Sequence, residues 1–280
     1  RGDLGGQMRL LPGVIRELNA LVATDPEHKR QALEALMLVL YAAAFAAKAA
    51  GARGAPGLAA WHMRDVAEEL GEACWLGLAA FVRAQTLAPG SRQRARELSM
   101  AAAEEMQRYI SDDRVRQLYG MLHLNAALSS AALREPDRAA DHLREAKEIA
   151  ESAPDPAGLG WANLAFCRTN VQFWEVALTL ELDDPGKVAE LSKDIVPEQV
   201  DSWWRQSAYF ADLGRALAMN RHTREDAIAA LLRAEELAPA RTRMNVWVRE
   251  TVVDLMRRVR RDDLAGHELR GMAYRMGIAA

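Results

Sequence analysis

Residues 223–239, TREDAIAALLRAEELAP, constrain the fold more tightly than any other stretch of the chain. Small residues recur at Ala227 and Ala234, a large one stands at Leu231, and Pro239 closes the segment. The preceding stretch supplies Phe210, Leu213, Gly214 and Leu217 at helical spacing. Such a pattern predicts two antiparallel helices. Gly214, Ala227 and Ala234 let the backbones approach, the larger residues fill the gaps beside them, and Pro239, which has no N–H to continue a helix, stops the second one.

This spacing is that of the second helix of a tetratricopeptide repeat. Weaker copies precede it: Trp61 with Gly77, Phe81, Ala84 and Pro89; then Ala139, Leu143 and Ala146; then Ala189 with Val196 and Pro197. The intervals Gly77 to Ala139, Ala139 to Ala189 and Ala189 to Ala227 are 62, 50 and 38 residues. None is a multiple of the usual repeat of about 34, so the repeats are irregular. The expected fold is all-α, a tetratricopeptide-like superhelix of antiparallel helix pairs, covering 1–280 as one domain. Residues 1–56 form N-terminal helices, 57–242 the repeat core and 243–280 a closing helix pair.

Caps and breakers place helices at about 8–23, 26–50, 58–70, 72–87, 91–109, 113–133, 136–152, 158–182, 186–195, 198–219, 224–237, 243–260 and 265–276. Half of the residues are apolar and only 6% aromatic, and strand-like runs are nearly missing. A repeat array also tolerates 280 residues without one oversized core, because each unit packs on its neighbours.

A net charge of −3 and a pI near 6.1 give no overall attraction to polyphosphate. The arginine run Arg257, Arg258, Arg260, Arg261 reads as a solvated helix end, with a nucleic-acid patch as the alternative. Cys74 and Cys167 lack any metal or disulfide spacing, which suits a reducing cytoplasm. The apolar run Ala35–Ala47 has 13 residues, short of the roughly 20 of a membrane span, and reads as a buried helix. No HExxH, GxSxG, DDxxD or Gly-rich phosphate loop occurs, and the six histidines are scattered. No enzyme activity, metal or cofactor is expected.

Three stretches go beyond a generic repeat: FCRTNVQFWEVALTLELDDPGK at 166–187, SAYFADLGRALA at 207–218, and the series TREDAIAALLRAEELAP, VRETVVDLMRRV and ELRGMAYRMGIA at the end. In that order they resemble the C-terminal half of actinobacterial XRE-family helix-turn-helix regulators, most closely over 155–280. The resemblance implies a sensor and dimerisation domain, with DNA reached only through a reader domain absent from this chain, which starts at Arg1 without Met. Where relatives have Gly-Pro before the Thr-Asn pair, this chain has Cys167-Arg168, so one unbroken helix is expected there. At fold level the resemblance extends to peptide-responsive regulators of the RRNPP type.

These readings imply a cytoplasmic homodimer that binds a peptide or small-molecule effector in a concave groove. A stand-alone scaffold holding a segment of a partner protein is the alternative. Asn163, Cys167, Asn170 and Trp174 fall on one stripe of the expected helix 158–182, where two amides and an indole would suit a peptide backbone. Asn125, among Leu118, Met121 and Leu128, is either a groove amide or a buried structural one. Arg205 and Asp212 belong to a charged face with Asp201 and Arg215, which is either a groove wall or a set of exposed ion pairs. His62, next to Trp61, is a ligand contact or a satisfied lone histidine.

Overall fold

The computed structural model describes residues 3–258 and 264–278. Fourteen α-helices and no strand occur among them, as the composition requires. Consecutive helices pack on one another almost throughout, and short connections make such neighbours antiparallel. The chain divides into two compact units, Asp3–Val171 and Gln172–Ala280, where the sequence suggests one domain.

The first unit contains α1 (Leu4–Thr24), α2 (Lys29–Ala49), α3 (Ala55–Leu70), α4 (Ala73–Thr86), α5 (Arg92–Met106), α6 (Asp113–Ala132) and α7 (Pro136–Glu151). Local chemistry fixes their ends. Asp112 caps α6 by accepting the Arg114 N–H at 2.8 Å, Gly71 ends α3 in the left-handed conformation, and Pro136 opens α7 where no N–H is required. Helix α6 is the most enclosed element, with Leu118, Leu122, Leu124, Ala126 and Ala127 all fully buried. Two glycines permit its close contacts: Gly77 of α4 lies under Met106 and Leu118, and Gly120 of α6 lies under the Phe166 ring.

Helix α2 is long and apolar enough to cross a membrane by length and composition. Here it packs between α1 and α3 and buries Leu33, Leu36, Met37, Leu40 and Ala44.

One expected helix is corrected. Residues 158–167 do not continue into the helix that follows; α8 spans Arg168–Glu181, preceded by a single 3-10 turn at Trp161–Asn163. Gly158 and Gly160 take positive φ, and so do Ala162, Asn163 and Ala165. Left-handed residues interrupt the i to i−4 ladder. Asn163 therefore stands in an exposed turn and the four-residue stripe does not form. From Arg168 onward the helix is continuous, with Cys167-Arg168 at its start.

The division between units falls within α8. The second unit continues with α9 (Pro185–Leu191), α10 (Trp203–Ala218), α11 (Arg224–Leu237), α12 (Pro239–Met244), α13 (Val246–Arg258) and α14 (Leu264–Arg275). Pro239 ends α11 as expected, but it also opens α12, a short helix the pattern does not reveal. Arg260 and Arg261 of the basic run lie outside the described residues.

Packing of α10 on α11 follows the sequence pattern. A Cβ on Gly214 would come within 2.7 Å of Leu231 Cγ and 3.1 Å of the Ala227 carbonyl, so only glycine allows this approach. Leu231, Val252, Leu255, Leu269 and Met272 fill the core of the unit, each fully buried large side chain contributing about 1.5–3 kcal/mol.

Candidate functional site

Two sets of buried hydroxyl and carboxylate contacts position the surface of the second unit. Ser207 Oγ donates to the Ala234 carbonyl at 2.9 Å and lies 3.2 Å from Thr242 Oγ1. Thr242 Oγ1 donates to the same carbonyl at 2.9 Å. This ties α10, α11 and α12 together at one point. Beside it, buried Glu235 accepts from Arg243 Nε at 2.7 Å and from Arg275 Nη2 at 2.6 Å. Burial alone would raise its carboxyl pKa, but the two guanidiniums hold it below the usual range. Helices α12 and α14 are thereby fixed on α11.

The framework presents a cluster of arginines stacked on tryptophans. Arg205 of α10 lies 5.1 Å from the ring centre of Trp174 on α8. Arg241 of α12 lies 4.5 Å from that of Trp204 and donates through Nη1 to the Trp204 carbonyl at 2.6 Å. Arg215 lies 5.6 Å from the ring of Trp247 at the start of α13. Guanidinium over indole is favourable by about 0.5–2 kcal/mol.

Asp212 sits among these cations, three residues before Arg215, and accepts from Arg215 Nη1 at 2.9 Å. Both side chains retain 24% exposure. Burial pushes the Asp212 carboxyl above its ordinary value, and the charges of Arg215, Arg241 and Arg205 only partly counter this. Burial and the like charge of Arg205 bring Arg241 down to about 10, against the opposing pull of Asp212; its guanidinium is still protonated at neutral pH. The indole N–H of Trp174 is buried and has no hydrogen-bond partner.

Of the residues singled out from sequence, the structure brings Trp174, Arg205, Asp212 and Arg215 together. His62, Asn125, Asn163, Cys167 and Asn170 lie in the first unit. Asn125 is buried and bonded on both sides: its Oδ1 accepts from Gln85 Nε2 at 2.7 Å and its Nδ2 donates to Ser99 Oγ at 2.7 Å. Asn170 is buried and donates to the Ala165 carbonyl at 2.8 Å, holding the left-handed turn before α8. His62 is half-buried on α3, and Asn163 is exposed. Asp201 is exposed ahead of α10.

Arg241, Trp204 and Trp247 escape sequence reasoning because they come from different elements. No single helical stripe contains them. The adjacent pair Trp203-Trp204 before Arg205 is the one signal that could have been followed.

The first unit holds buried polar atoms without a hydrogen-bond partner at Trp75, His123 and Ser129. His123 of α6 is buried with neither ring nitrogen bonded, its ring centre 4.6 Å from Tyr119 and 5.4 Å from His142. Burial, assisted by His142, pushes its pKa down to about 4, so it is neutral at pH 7. The Cys74 thiol is pushed up to about 11, chiefly by burial, which makes it a poor nucleophile. No group of three or more metal-ligating side chains occurs among the described residues. No protein-family model, curated protein or solved structure matches this chain.

Proposed function

We propose that the chain is the effector-sensing and dimerisation part of a cytoplasmic bacterial transcriptional regulator, built as an irregular tetratricopeptide-like superhelix. The observation that carries the effector reading is the Trp174–Arg205–Asp212–Arg241 cluster. It combines a buried indole donor without a partner, guanidiniums lying over tryptophan rings and a carboxyl whose pKa is raised by burial. Buried polar groups of that kind are costly to a protein that uses them only for packing. The close α10–α11 contact at Gly214 supports the repeat architecture, and the resemblance over 155–280 supports the regulatory role.

In this reading the effector binds the arginine–tryptophan surface and favours one arrangement of a dimer, changing the spacing of attached DNA-reading domains. The dimer contact is then the exposed apolar surface of Met244, Val246 and Trp247. A groove of about 390 Å³ lies beside it, lined by Val246, Arg249, Val253, Arg257 and Ile278. The same exposed surface also suits the second reading, a scaffold that docks a partner protein.

Native mass spectrometry of the chain purified from its own host tests the choice. A dimer carrying a bound mass that Trp174→Ala and Arg241→Gln both reduce is the expected result. A clean monomer that gains mass only with a host protein overturns it in favour of the scaffold.

A further inference from the structure

We infer that the outer face of α13 pairs, antiparallel, with the same face of a second copy of this chain, about a two-fold axis crossing the helix between Arg249 and Glu250. This inference rests on the dimer reading and gives that dimer its register.

Val246, Arg249, Glu250 and Val253 stand three and four residues apart on one side of the helix. The structure gathers all four, with Ile278, around one groove of about 390 Å³. The opposite side of α13, with Val248, Val252 and Leu255, is buried in the core of the second unit. The groove is therefore the outward side of the helix. Val246 keeps 62% of its surface, and Met244 and Trp247 at the same end are exposed as well.

The order along this stripe, apolar, cation, anion, apolar, selects the occupant. A two-fold axis over its midpoint sets every position opposite the one equally distant on the other side. Val246 then meets the partner's Val253, Arg249 meets the partner's Glu250, and each contact occurs twice. Moving the axis to Val253 would set Arg249 against the partner's Arg257, two like charges. Within its own chain Arg249 Nη1 donates to the carbonyls of Met276 at 2.5 Å and Arg243 at 3.3 Å, neutral acceptors that leave its charge in place. Asp254 is paired with Arg258 of its own helix at 2.8 Å, so Arg249 and Glu250 carry the exchange between copies. A helix of 13 residues is about 20 Å long, short for a permanent interface. The dimer accordingly dissociates on dilution.

Sedimentation velocity of the chain over a range of concentrations provides the test. Glu250→Arg puts four arginines around the axis and is expected to weaken the dimer about tenfold, because two attractive pairs become repulsive. Adding Arg249→Glu to the same chain exchanges the two charges and restores the dimer. The decisive sample mixes the two single variants in equal amounts: each alone is weakened, and together they form a heterodimer tighter than either. Because Arg249 also holds the Met276 carbonyl, Val246→Asp mixed with Val253→Lys makes the same test if circular dichroism shows that Arg249→Glu does not fold. A mixture no tighter than its components, or a parent dimer that none of the variants moves, overturns the axis and leaves the dimer reading standing. A parent that is monomeric at every concentration overturns both and gives this surface to a different protein.

Discussion

In the first unit the buried amide of Asn125 has both its carbonyl and its amino group bonded, to Gln85 and to Ser99; in the second the indole N–H of Trp174, 6% exposed, has no acceptor. A missing partner is not by itself the difference, because His123, Ser129 and the indole N–H of Trp75 in the first unit also lack one. What differs is the surrounding charge. His123 lies against the rings of Tyr119 and His142 and is held neutral, whereas Trp174 lies under a guanidinium in a cluster that includes a half-buried carboxylate. The first setting is that of a neutral ring packed among rings, and the second, an unpartnered donor close to charge, is what the proposed effector site rests on.

The largest effect expected from this contrast concerns His123. Its folded pKa near 4 lies below the ordinary value of 6.5, so the unfolded chain binds a proton first as pH falls. Stability contributed by the neutral ring is full above pH 6.5 and is lost towards pH 4, amounting to roughly 3 kcal/mol. Urea unfolding at a series of pH values checks this, and His123→Phe is expected to flatten the acid side of the profile. A variant as steep as the parent removes His123 from the explanation.

Next in size, Gly120→Ala drives a Cβ into the Phe166 ring and is expected to lower the unfolding free energy by about 2–3 kcal/mol, read from the urea midpoint. Asn125→Leu strands the donor of Gln85 and breaks the bond to Ser99, with an expected cost of about 2 kcal/mol in the same assay. Retention of adduct binding by that folded variant would separate the two units as the comparison requires.

The smallest change expected in stability is that of Arg241→Gln. Losing the contact with the Trp204 carbonyl is offset by relief of its repulsion from Arg205, so the midpoint should move by less than the equivalent of about 1 kcal/mol. Binding should nevertheless fall. A large drop in thermal stability would instead make Arg241 a structural residue and weaken the contrast.

Much of the helical framework was legible in the chain. Pro136, Pro185, Gly71 and Asp112 mark helix ends that the structure reproduces, and the Gly214–Ala227–Leu231 contact follows from the positions of its small residues. The break before α8 was not legible, because Ala162 and Ala165 have no intrinsic preference for positive φ. They are held there by tertiary bonds, from Trp161 N–H to Gln117 Oε1 at 3.2 Å and from Asn170 Nδ2 to the Ala165 carbonyl. The site was half legible for a related reason: Arg205, Asp212 and Arg215 share a helix face, while Arg241 and Trp247 reach them through chain reversals at Pro239 and Asn245.

The seat of Phe166 on Gly120 also bears on the order in which the protein is made. Helix α6 leaves the ribosome well before Phe166 does, and until that ring arrives the notch at Gly120 has no cover. The first unit thus closes on its last residues to be synthesised. Nascent chains arrested before Phe166 should be more readily cleaved by protease within α6 than chains arrested beyond Val171, and in that interval the exposed apolar face is what a ribosome-associated chaperone would meet.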